Sequence, residues 1–249
     1  MITARGLSRT FGQVKAVHEI DLDIGEGSLA GFLGPNGAGK TTVLRMLATL
    51  LRPTSGEATI AGCDLRRDPA GVRRTIGYVG QGNGGGLDQR VREELVLQGR
   101  FHGLSPAVAT RRADELIDRF DLGATASRPT VTLSGGQKRR LDLALGLIHQ
   151  PALIFLDEPS TGLDPTSRAA LWDHIRPLRV TALLSTHYLD EADALCDQLL
   201  IIDKGRIVAS GTPDALRDKV SGDSARTHRP TLDDVFGAVT GRTLTEVSA

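Results

Sequence analysis

The 249-residue chain has only two cysteines, Cys63 and Cys196, too few and too far apart for a disulfide framework or a spaced set of metal ligands. Reduced, buried thiols are the expectation. Charge of one sign is not in excess: 30 Lys and Arg balance 30 Asp and Glu, so no global field draws the chain to nucleic acid or anionic lipid. Partner recognition must then be local. No apolar run approaches the ~18 residues of a membrane span, and the N-terminus lacks the charged and apolar segments of a leader peptide, so a cytosolic protein is expected. Internal repeats and long low-complexity segments are also missing. A chain of this length can bury a substantial core, and one compact unit is the expected domain count.

What the chain does contain is one dense stretch, Gly34-Pro35-Asn36-Gly37-Ala38-Gly39-Lys40-Thr41, with the spacing of a Walker A loop. The apolar run before it, residues 29–33, reads as a strand, and residues 42–47 read as the helix that such a loop opens. Gly34, Gly37 and Gly39 lack a Cβ, so the backbone can curl and turn successive N–H groups onto phosphate oxygens. The helix start adds its positive dipole end. Lys40 is placed to reach the β- and γ-phosphates, and the Thr41 hydroxyl to ligate Mg2+. The competing reading is a glycine-rich turn with no ligand; the flanking strand and helix favour phosphate binding.

Residues 2–33 carry several short β-rich runs, partly alternating in polarity from 14 to 24, and predict an antiparallel N-terminal β layer. Phe11 lies where its ring could face a nucleotide base, or it is simply core. Arg52-Pro53-Thr54-Ser55-Gly56 is a turn by composition. Residues 57–60 begin a further strand, and 75–79 form another that ends near Gln81. The run Gly82-Asn83-Gly84-Gly85-Gly86 cannot hold regular structure cheaply and reads as a hinge. From Arg90 to about Ile148 the pattern is helical: Val91, Leu95 and Leu97 share one face, and Ala113, Leu116, Ile117 and Phe120 share another. Within this insert, Leu133-Ser134-Gly135-Gly136-Gln137-Lys138-Arg139-Arg140 leads into a helix at 141–148. Ser134 with two glycines before a helix makes a second anion-binding N-terminus.

Leu153-Ile154-Phe155-Leu156 is a continuous apolar run, expected as a buried central strand, and it ends in Asp157-Glu158-Pro159. Adjacent carboxylates there are costly unless they hold something. Asp157 is placed to hold Mg2+, directly or through water, and Glu158 to take a proton from an attacking water. A strand-end Asp-Glu turn is common in isolation; its pairing with the Lys40 loop favours the functional reading. Residues 160–165 form a turn before a helix at 167–175, and 182–185 form another buried strand ending at Thr186-His187. A lone histidine is ordinarily structural, yet at a strand's carboxyl end it can contact a γ-phosphate. Residues 199–202 and 206–209 read as a hairpin. A short helix, a polar linker at 221–229 and an amphipathic close with Leu232, Val235 and Phe236 complete the chain.

Leu133-Ser134-Gly135-Gly136-Gln137 carries a resemblance that generic nucleotide folds do not share. The chain resembles the ATP-binding subunit of an ABC transporter over nearly its whole length: the Walker A loop, a Q-loop glutamine at Gln81, the signature at 133–137, Walker B at 153–157, Glu158, a D-loop at 160–164 and a switch histidine at His187. Arg-Arg-Leu-Asp-Leu-Ala after the signature, Ser-Thr-His-Tyr-Leu-Asp-Glu-Ala-Asp around His187 and Pro-Thr-Leu-Asp-Asp-Val-Phe near the end are similar to daunorubicin-resistance-type exporter ATPases. The resemblance implies an α/β fold: a P-loop NTPase core, RecA-like with a largely parallel sheet, an N-terminal antiparallel β subdomain and an inserted helical subdomain. It implies one ATP-binding domain over 1–249, with the helical insert at about 87–149 and a short C-terminal extension at about 212–249.

The same resemblance implies ATP hydrolysis with Mg2+, powering export of a drug-like or other amphiphilic substrate through a separate integral membrane permease. The chain would then lie at the cytoplasmic face of the membrane, peripheral through the permease. Gly34, Pro35, Asn36, Gly37, Ala38, Gly39, Lys40, Thr41 and Thr42 would bind ATP, with Phe11 at the family's adenine-stacking position. Thr41, Gln81 and Asp157 would hold the metal, and Glu158, His187, Lys40 and Gln81 would serve catalysis. In a head-to-tail, ATP-dependent homodimer, Ser134, Gly135, Gly136, Gln137 and Asp164 would act on the partner's ATP. Three departures stand out: the loose glycine run after Gln81, a short connection at 176–180 that could shift the strand carrying His187, and an abbreviated segment between 216 and 230. A soluble ABC-type ATPase acting on nucleic acid or ribosomes is the rival reading, but the large insert, zinc site or second cassette that such proteins use is missing. A regulatory cassette without hydrolysis is opposed by Glu158 and His187.

Overall fold

A computed structural model describes residues 1–82, 88–220 and 230–244. The expected hinge beyond Gly82 and the expected linker at 221–229 lie outside the described residues. Strands β1 (Ile2–Phe11) and β2 (Val14–Ile24) pair antiparallel. Ile20, Leu22 and Ile24 are buried while Asp21 and Asp23 face out, the period of two that a half-buried strand requires. β3 (Leu29–Leu33) leaves this layer, and α1 (Lys40–Leu47) follows the glycine loop. Then come β4 (Ser55–Ile60), β5 (Cys63–Asp64), α2 (Pro69–Thr75) and β6 (Ile76–Val79).

Two corrections arise here. The antiparallel layer is not wholly N-terminal: its order is β2-β1-β4-β5, so two of its strands come after α1, with Ile2 opposite Ile60 and Ala4 opposite Ala58. Ladder hydrogen bonds join strands without regard to their separation in sequence, so local patterning does not reveal the partner. The helix α2 was not foreseen, although Asp68 accepts from the Gly71 N–H at 2.7 Å and Pro69 occupies the first turn, the residue types that start helices.

The insert holds α3 (Val91–Phe101), α4 (Pro106–Arg119) and α5 (Gly135–Leu147). Ala113, Leu116, Ile117 and Phe120 are buried as expected, as are Val91 and Leu95, but Leu97 is only half-buried. α5 begins at Gly135 rather than at residue 141. Ser134 caps it, its Oγ accepting the Gln137 N–H at 3.3 Å while Gln137 Oε1 accepts the Ser134 N–H at 2.9 Å. This reciprocal box starts the helix through two glycines whose propensity argues for a loop. β7 (Leu153–Asp157), α6 (Pro165–Ile175), β8 (Thr181–Thr186), α7 (Leu189–Leu195), β9 (Gln198–Asp203), β10 (Arg206–Gly211), α8 (Pro213–Val220) and α9 (Leu232–Thr240) complete the described chain.

The second sheet has the order β10-β9-β3-β8-β7-β6 and is parallel except for β10. Every residue of β7 and β8 is buried, as strands covered on both faces must be. On one face α1 lies between the two sheets, with Phe32, Phe155, Leu183, Leu44 and Met46 in a common core; on the other, Leu156, Leu184 and Leu199 pack with Phe120 and Phe236. The short connection at 176–180 leaves β8 in unbroken register with both neighbours, Ser185 opposite Asp157 and Thr186 opposite Leu33. Because β3, β6, β7 and β8 run the same way, the residues that follow them gather at one end of the sheet. Cys196 is buried and Cys63 half-buried, both as free thiols, so the buried-thiol expectation holds fully only for Cys196.

Candidate functional site

The loop after β3 is shaped by close backbone approaches. A Cβ on Gly34 would stand 2.1 Å from the Ile202 carbonyl oxygen, and Gly39 sits at φ +105°, a left-handed conformation that side chains resist. Gly39 is also the N-cap of α1, so no side chain caps that helix and its first N–H groups face the loop. Lys40 is 3% exposed. Its Nζ donates to the carbonyls of Gly34 at 2.7 Å and Pro35 at 2.9 Å and lies 3.6 Å from Glu158 Oε1. Burial pulls its pKa below the ordinary lysine value, and Glu158 and Asp157 oppose that pull. A desolvated cation beside an uncapped helix start and a curled glycine backbone fits a polyphosphate.

Asp157 closes β7 and is fully buried. Its Oδ1 accepts from Thr41 Oγ1 at 2.8 Å and from Ser185 Oγ at 2.8 Å, and its Oδ2 accepts from the Tyr78 hydroxyl at 3.1 Å. Gln81 Nε2 donates to Thr41 Oγ1 at 3.3 Å. Burial, then the Asp157 charge, push the Tyr78 hydroxyl up to about 12, so it remains a proton donor at neutral pH. Hydroxyl, carboxylate and amide oxygens are the hard donors that suit Mg2+, which takes few protein ligands and shares its shell with substrate phosphate. Among the described residues no group of three or more His, Cys, Asp or Glu could hold a metal by itself. A cation at Thr41, Gln81 and Asp157 would therefore depend on phosphate oxygens to complete its shell.

Glu158, with φ +49°, turns its carboxyl across the loop. Oε1 is 3.6 Å from both Lys40 Nζ and His187 Nδ1, and Oε2 accepts from Thr161 Oγ1 at 3.2 Å. His187, then Lys40, hold this carboxyl below the usual glutamate range despite its burial. The His187 separation is longer than a hydrogen bond, and the buried Nδ1 has no hydrogen-bond partner among the described residues. An ionised, desolvated carboxylate of this kind can accept a proton from water held against it.

Ser134 and Gly135 are exposed at the start of α5, and Asp164 caps α6 through the Ser167 N–H at 3.0 Å. The hydrogen bonds of Ser134, Gln137 and Asp164 given above stay within their own turns, and none reaches the glycine loop. Phe11 is not core: the residue is 45% exposed, and the Arg9 guanidinium lies 4.5 Å from the ring centroid. It pairs with Val14, two residues before Ala16, whose carbonyl oxygen lies 3.0 Å from where a Gly39 Cβ would stand. Phe11 is thus at the loop end of its sheet. Sequence reasoning missed Ser185 and Tyr78; the only signal was a polar residue in each of two apolar strands that end at the site.

A buried lysine under a glycine loop, aligned with an acid-ended parallel strand, defines a nucleoside triphosphatase of the P-loop class. Residues 17–161 match the family model for the ABC transporter, and the chain belongs to that family as an ATP-binding subunit whose ATP hydrolysis is coupled to transport. A daunorubicin resistance ATP-binding protein of Streptomyces coeruleorubidus is 47% identical over 227 residues, 89% of this chain and 71% of that one. A solved ATP-binding subunit of an ABC transporter, 28% identical, superimposes with a TM-score of 0.83 over 96% of this chain and 99% of the other. A dimeric bacterial ABC transporter cassette, 25% identical, does so with a TM-score of 0.77 over 85% and 98%. Cassettes of this family dimerise and work with membrane permeases. No helix among the described residues is long and apolar enough to cross a membrane. The nucleic-acid or ribosome-acting alternative and the regulatory cassette are not favoured by these relatives.

Proposed function

We propose that this subunit powers export of a daunorubicin-like, amphiphilic molecule through a separate permease at the cytoplasmic face of the membrane, with two copies closing on ATP. The observation that carries the hydrolytic reading is Glu158 Oε1, held 3.6 Å from both Lys40 and His187. In this reading residues 34–42 cradle the phosphates and Lys40 offsets their β- and γ-charge. Thr41, Gln81 and Asp157 hold Mg2+, which when bound neutralises charge building on the phosphate oxygens. Glu158 accepts a proton from water, and His187 orients the γ-phosphate and the Glu158 carboxyl together. Ser134, Gly135, Gly136, Gln137 and Asp164 serve the ATP of the second copy, a placement supported by the exposure of Ser134 and Gly135 at a helix N-terminus. Export of a drug is supported by the 47% identity to the daunorubicin resistance protein.

Deleting the chain from its host should raise retention of daunorubicin, and a copy carrying Glu158→Gln should fail to restore efflux while the native copy succeeds. Unchanged retention on deletion would remove the drug assignment without touching the ATPase. For the base, Phe11→Ala is expected to weaken ATP by roughly 1–3 kcal/mol, the scale of one base–aromatic stack. Equilibrium titration checks this, and an unchanged dissociation constant would leave Phe11 with no nucleotide role.

A further inference from the structure

We propose that Arg139 is a positioning residue for hydrolysis: carried on the signature helix α5, its guanidinium fixes the backbone that aims Glu158. Four carbonyl groups converge on it. NH1 donates to the Gly80 oxygen at 2.7 Å, NH2 to the oxygens of Glu158 at 2.9 Å and Asp157 at 3.2 Å, and Nε to that of Pro159. Asp142, one turn along α5, lies 3.6 Å from NH1 as its counter-ion, and the two side chains are 9% and 6% exposed. The Gly80 carbonyl belongs to the same peptide unit as the Gln81 nitrogen, so one planar group ties the ends of β6 and β7 to the helix that Ser134 caps.

Glu158 shows why this matters. Its φ of +49° is disfavoured for a residue with a side chain and persists only where surroundings over-determine it. Here its N–H is taken by the Ser185 carbonyl at 3.1 Å and Oγ at 3.0 Å, and its C=O by Arg139. Both flanking peptides are pinned, and the carboxyl is thereby held between Lys40 and His187. Lysine at 139 would keep the charge but not the planar fork that serves several carbonyls at once.

The inference rests on the proposed role of Glu158, so the test is a cycle on the full chain: native, Arg139→Lys, Glu158→Gln and the double variant, with single-turnover Mg-ATP hydrolysis and ATP titration on each. Arg139→Lys should lower the hydrolysis rate by about 10- to 100-fold, the cost of a small misplacement at a reacting group, while leaving the ATP dissociation constant within about twofold. In the Glu158→Gln background the same change should cost less than about threefold, because a residue acting through Glu158 has nothing left to position. Arg139→Gln, which keeps a planar amide donor, takes its place in the cycle if circular dichroism shows Arg139→Lys unfolded. An equal loss in both backgrounds, a loss of ATP affinity matching the loss of rate, or an unchanged rate would overturn the proposal. A native rate for Glu158→Gln alone would overturn the catalytic reading of Glu158 and this inference with it, and is told apart because Arg139 is intact.

Discussion

Glu158→Gln is expected to lower ATP hydrolysis by about 10²–10⁴-fold, the usual worth of a positioned acid or base, while ATP continues to bind. Glutamine keeps the shape that sits between Lys40, His187 and Thr161 but cannot take a proton. Binding should persist or tighten, since the change removes a negative charge 3.6 Å from the Lys40 ammonium and leaves that cation for phosphate. With hydrolysis stopped, Mg-ATP should trap a dimer. Ligand favours association only if it contacts both chains, so the trap must use the partner's α5 terminus. Ser134→Arg in the same chain should abolish it, because the bulk and charge fill the exposed space at that N-terminus, yet each monomer should still bind ATP through its own Lys40 loop. Size-exclusion chromatography with Mg-ATP reads both variants. A double variant that still dimerises, or a Ser134→Arg monomer that no longer binds ATP, would show that the signature does not act between chains.

Lys40→Ala is expected to weaken ATP by at least about a hundredfold, since hydrogen bonds to charged groups are worth about 1.5–3 kcal/mol each and Lys40 is the buried cation of the loop. The loss should exceed a lost contact alone. Glu158, 3.6 Å away, would keep its buried charge without its neighbour and repel the phosphates directly. The substitution also strips the Gly34 and Pro35 carbonyls of their donor, so circular dichroism should accompany the titration to show the chain folded. An unchanged dissociation constant in a folded variant would mean that the phosphates do not lie where Lys40 points.

The phosphate loop was legible in the sequence because its physics is local: the spacing of Gly34, Gly37, Gly39 and Lys40 prescribes a curled backbone opening a helix, whatever surrounds it. The apolar run ending in Asp157-Glu158 was legible for the same reason, since a strand buried on both faces must be apolar throughout. Other features needed the third dimension. The start of α5 at Gly135 was hidden because glycine propensity and the Ser134–Gln137 capping box point in opposite directions, and packing lets the box win. Phe11 could be base platform or core until the structure left the residue 45% exposed. Tyr78, Ser185 and Arg139 reach the Asp157–Glu158 turn from three other elements. No spacing in the chain encodes that meeting; parallel pairing of β6, β7 and β8 brings their carboxyl ends side by side, and only the assembled sheet decides which polar side chains share the same few ångströms.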